Sequence, residues 1–77
     1  MMFAGLDISY GDVVVVEAVD PRSLIQYTVI GEIRSLGAAG DTKSIMIKSN
    51  DTKTLICEKR VRRIAFLDEE PPLLINI

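Results

Sequence analysis

Much of this chain alternates apolar and polar residues with the period of two that marks a half-buried β-strand. Between Gln26 and Ser35, Tyr27, Val29, Gly31 and Ile33 fall on one face, and Thr28, Ile30, Glu32 and Arg34 on the other. Ser44–Lys48 predicts a further strand with Ile45 and Ile47 inward; Lys53–Glu58 and Val61–Leu67 predict two more. Val13–Val19 differs, being a β-branched run apolar on both faces. One face must meet the core and the other must be covered by something, and the pattern leaves open which.

Turn chemistry separates these segments. Asp20-Pro21-Arg22-Ser23 is a bend, with proline fixing φ and Asp20 able to cap it. Leu36–Thr42 reads as a flexible loop holding two of the glycines, and Ser49-Asn50-Asp51 as a tight hairpin turn. The strand pattern breaks at Lys59-Arg60, and Pro71-Pro72 ends regular structure. Gly31 in mid-strand predicts a sharp bend. Phe3–Ser9 is read as a short helical turn. The result is an all-β fold: a small, strongly bent, antiparallel five-stranded barrel over about residues 11–68, with a C-terminal tail over 69–77.

Composition narrows the chemistry. The 77 residues suit one small domain, and they include no histidine, no tryptophan and one cysteine. An intrachain disulfide, a Cys/His zinc site and imidazole base catalysis are therefore excluded. So small a core usually needs an added staple, and with disulfides and metals removed, self-association is the one left. No secretory leader or membrane-length apolar run is present, and the single Cys57 fits a reducing compartment, so a cytoplasmic protein is expected, without membrane partner, cofactor or small-molecule substrate.

The run Leu55-Ile56-Cys57-Glu58-Lys59-Arg60-Val61-Arg62-Arg63-Ile64 resembles the second signature of the Sm and Sm-like proteins, with Ile56, Val61 and Ile64 holding its apolar spacing. Val29-Ile30-Gly31-Glu32-Ile33 is similar to the bent second strand of that family. The resemblance spans about Val13 to Phe66. It implies a barrel that assembles by edge-strand pairing into a homo-oligomeric ring of about five to seven subunits, and a capacity to bind RNA. The signature's Arg-Gly pair falls on Cys57-Glu58, and its Asp-x-x-Met-Asn loop falls across Gly37–Asp41. The nucleobase-contacting residues are thus not carried over. Src-homology-like and KOW-like barrels share the strand spacing.

Lys59, Arg60, Arg62 and Arg63 are the candidate nucleic-acid contacts, four cations around Val61. The competing reading is a solvated strand junction whose charges suppress edge aggregation and pair with Asp68-Glu69-Glu70. Strand alternation sends Arg62 and Arg63 to opposite faces, which would split the patch. Stacking on bases would have to use Phe3, Tyr10, Tyr27 or Phe66. Gly37–Lys43 lacks the Gly-Lys-Ser/Thr ending of a phosphate-binding loop, and Cys57 has no histidine to activate it, so no catalytic role is assigned.

Ile56, Val61, Ile64 and Phe66 are the candidate interface residues of the edge strands. Leu73, Leu74 and Ile75 of the oily tail join them, either packing back on the barrel or extending along a neighbour. Two functions follow: an Sm-like ring that binds RNA or single-stranded nucleic acid, or a non-catalytic interaction or structural barrel that binds none.

Overall fold

The computed structural model describes residues 1–69. Its elements are all β apart from two single 3₁₀ turns: β1 (Met2–Phe3), β2 (Leu6–Asp7), β3 (Val13–Val19), β4 (Gln26–Ala39), β5 (Thr42–Ser49), β6 (Thr52–Cys57) and β7 (Val61–Phe66). The 3₁₀ turns are Glu58–Arg60, between β6 and β7, and Leu67–Glu69. β1 and β2 form a hairpin of their own; the other five make an antiparallel sheet in the order β6-β5-β4-β3-β7.

That order and the short Glu58–Arg60 link together require curvature. Four strand spacings would set β6 and β7 about 19 Å apart in a flat sheet, whereas three 3₁₀ residues rise only about 6 Å. The sheet therefore curls until its two edges approach. No ladder joins β6 to β7, so in its hydrogen bonding the sheet is open where sequence patterning predicts a barrel.

β4 carries the bend. Its first half pairs with β3, from Val13↔Glu32 to Val19↔Gln26, and its second half pairs with β5, from Glu32↔Lys48 to Ala39↔Thr42. Gly31 lies at the crossover. A Cβ there would sit 2.2 Å from the Lys48 carbonyl oxygen and 2.9 Å from Ile47 Cγ2, so only glycine allows the approach. A register shift just beyond it, between Ile33 and Ser35, leaves Arg34 unopposed. This bulge keeps Ile33 and Leu36 in line with the inward residues Ile47 and Ile45 across the ladder.

Val14, Val16 and Ala18 of β3 point inward and pack with Ile33, Ile45, Ile47 and Ile56 in one cluster. Inward alternation is thus as expected for β4 and β5, and the open question about β3 is decided. Val15 is nevertheless only 8% exposed, although it stands on the outward row; its neighbours there are Ile30 of β4 and Ala65 of β7.

Two expectations are corrected. The segment Leu36–Thr42 is not a flexible loop: β4 continues to Ala39 and turns at Gly40-Asp41, Gly40 taking φ +60°. Cross-strand pairing with β5 overrides the poor strand propensity of Gly-Ala-Ala. The N-terminus is a hairpin and not a helical turn. Ala4 and Gly5 both adopt positive φ, the geometry of a tight hairpin turn, with Met2↔Asp7 and Phe3↔Leu6 paired around it. Phe3 and the following Ile8 are fully buried in the common core, so the hairpin plugs the curled sheet. Lys43 Nζ donates to the Met2 carbonyl at 2.6 Å, and the Ala4 N–H donates to Glu58 Oε2 at 2.7 Å, tying the hairpin to β5 and to the 3₁₀ turn.

Candidate nucleic-acid interface

The four cations flank a half-buried Val61, which is held by its own N–H donating to the Glu58 carbonyl. Lys59 and Arg60 project from the 3₁₀ turn and are exposed. In β7, Val61 opposes Ala18 and Arg63 opposes Glu17, so Arg62 is an extra residue in a bulge. The inward row of β7 therefore runs Val61, Ile64, Phe66, opposite Ala18, Val16 and Val14. Arg62 and Arg63 both fall between inward positions, and both are exposed. The split required by strict alternation does not occur, because the bulge inserts one residue into the period.

Partners distinguish the four. Arg63 Nη1 lies 3.4 Å from Glu17 Oε2, across the ladder. Among the described residues Lys59, Arg60 and Arg62 have no ion-pair partner. Glu58, the acid closest in sequence, is engaged by the Ala4 N–H. Three cations with no ion-pair partner among the described residues thus stand at the junction between the two open edges of the sheet. Lys48 and Lys53, directly opposed on β5 and β6, form a second basic pair that the sequence reading missed. The two-residue turn at Asn50-Asp51 sets that register and could have revealed it.

Of the four aromatic residues, Phe3 is buried, while Tyr27 and Phe66 are half-buried against the core. Tyr10 alone is open, at 63% exposure, with the Arg34 guanidinium 5.8 Å from its ring centroid. It rides on a turn in which the Ser9 N–H donates to the Asp12 carboxylate and Gly11 takes φ +94°. Cys57 is half-buried and unpaired, and among the described residues no cluster of potential metal ligands occurs.

Ile56 is 1% exposed inside its own core, and Val61, Ile64 and Phe66 pack against that core. What β6 and β7 leave open is backbone, with Leu55, 62% exposed, as an outward apolar side chain of β6. Leu73, Leu74 and Ile75 lie outside the described residues, as does Glu70. No helix among the described residues is long and apolar enough to cross a membrane.

Fold and site together define a small antiparallel β protein with a basic junction between two free sheet edges. No protein-family model, no curated protein and no solved structure matches the chain.

Proposed function

We propose that this chain is an Sm-like small β-barrel that assembles into a homo-oligomeric ring and binds RNA or single-stranded nucleic acid through Lys59, Arg60 and Arg62, with Arg63 beside them. The observation that carries the reading is the exposure of Lys59, Arg60 and Arg62 at one junction, none with an ion-pair partner among the described residues. Two free edges, β6 and β7, support assembly, since pairing one copy's β6 with the next copy's β7 would satisfy both. Ring symmetry would then repeat the basic junction around an axis and concentrate its cations there, although each chain carries a net charge of -2. Chemistry at this site is binding and not catalysis, and the protein works in the cytoplasm.

Titration of a labelled single-stranded RNA at several salt concentrations tests this. Three phosphate contacts per chain predict a log–log salt slope of about -2 for each chain that engages the RNA. Replacing Lys59, Arg60 and Arg62 with Ala should flatten the slope while the mass in solution stays unchanged. Binding that is absent, or indifferent to those substitutions, rejects the reading. A second reading, an interaction barrel that binds no nucleic acid, is favoured by Leu24 and Ile25, which stand 75% and 66% exposed. It predicts no RNA binding at any salt.

A further inference from the structure

The turn between β3 and β4 projects two aliphatic side chains from a firmly built frame. Asp20 Oδ1 accepts the N–H groups of Arg22 and Ser23, and Ser23 Oγ accepts the N–H of Ile25 at 3.2 Å. The Leu24 N–H donates to the Asp20 carbonyl at 2.9 Å, and the Asp20 N–H donates to the Ile25 carbonyl at 3.0 Å. These bonds hold Leu24 at φ +62°, a conformation unfavourable for a residue with a Cβ. The tip is thus preorganised, strained and apolar, and it carries the exposed cation Arg22.

At the other end of β3 lies an open groove of about 500 Å³, lined by Gly11, Asp12, Val13, Phe66, Leu67 and Asp68. Its apolar lining is accessible, Val13 being 43% and Leu67 42% exposed. Its rim is acidic. Asp12 is partly engaged by the Ser9 N–H, but Asp68 is exposed and has no partner among the described residues. Tip and groove are complementary: aliphatic with a cation on one side, aliphatic with an anion on the other. They stand at opposite ends of a strand roughly 20 Å long, so the tip cannot fold back into the groove of its own chain.

The geometry points to a head-to-tail contact between two copies of this chain, in which Leu24 and Ile25 of one seat in the Val13–Leu67 groove of the next and Arg22 pairs with Asp68. The contact is heterologous, so each pair leaves one tip and one groove free and assembly continues into a closed ring or an open chain. It is made through side chains of the turn and the groove and not by strand pairing at β6 or β7, and it stands whether or not RNA binds. Preorganisation of the tip lowers the ordering cost of docking.

A charge exchange tests it, read as association constants from sedimentation over a wide concentration range. Arg22→Glu and Asp68→Arg should each weaken association about tenfold, and the double variant should restore it. Leu24→Ser with Ile25→Ser should weaken it by about a hundredfold; all these positions are exposed, and circular dichroism checks that each variant folds. A double exchange as weak as either single one, association indifferent to Leu24 and Ile25, or a wild type that stays monomeric overturns the proposal. So does association that appears only when Leu73, Leu74 and Ile75 are replaced by Ser in the full chain, which would assign the groove to the chain's own C-terminus.

Discussion

Gly31 bears the tightest steric demand in the fold. The Lys48 carbonyl would lie 2.2 Å from an added Cβ, and that oxygen belongs to backbone, so no side-chain rotation relieves the clash. Gly31→Ala should cost about 3 kcal/mol or more, at the upper end of overpacking effects, measured as a lower urea midpoint with unchanged slope. Leu24 poses the opposite case, a branched residue held at φ +62° with its side chain in solvent. Leu24→Gly removes the left-handed penalty, worth about 1–2 kcal/mol, and adds unfolded-state entropy of up to about 1 kcal/mol. At a protein concentration low enough to keep the chain monomeric, the variant should be as stable as the wild type or slightly more so by thermal melting. A clear loss would mean that Leu24 packs within its own chain.

At the scale of elements, the N-terminal hairpin is a structural plug as much as an edge feature. Phe3 is fully buried beside Ile8, Val14, Ile45 and Ile56 in one cluster. Phe3→Ala should remove about 3–5 kcal/mol, which in a domain this small is a large part of the total. Fully cooperative unfolding near physiological temperature is the expected outcome in a calorimeter. If the melting temperature barely moves, the hairpin is an appendage and the core closes without it. The bulge at Arg62 acts on the same scale but toward function, since one extra residue turns a divided charge pattern into two adjacent exposed arginines.

For the whole molecule, the open edges and the exposed apolar residues converge on self-association. Met2, Val13, Leu24, Ile25, Ile30, Leu55 and Leu67 are all more than 40% exposed, a heavy apolar load for a surface this size. Association that buries them couples to folding by mass action, so the melting temperature should rise with protein concentration. A melting temperature constant with concentration would mark a monomer and leave the basic junction unmultiplied. Replacing the junction cations should not alter that concentration dependence, because phosphate binding and subunit contact reside on different groups.

Strands β3, β5, β6 and β7, β4 as far as Ser35, the tight turn within Ser49-Asn50-Asp51, the inward Ile45 and Ile47 and the bend at Gly31 were determined by sequence alone. Each follows from local alternation, turn chemistry or the special place of glycine, all of which act over a few residues. Tertiary structure decided the rest. Ala4 adopts positive φ because Phe3 and Ile8 gain burial in a core made by distant strands. β4 runs through Gly37-Ala38-Ala39 because β5 offers a ladder there. The inward face of β3, apolar on both sides in sequence, was chosen by the direction in which the sheet curls. Arg62 and Arg63 share exposure because β7 must match Ala18 and Val16 on β3, and an odd residue between two inward positions can only bulge outward. Registers of this kind are properties of strand pairs far apart in the chain, so no single segment carries them.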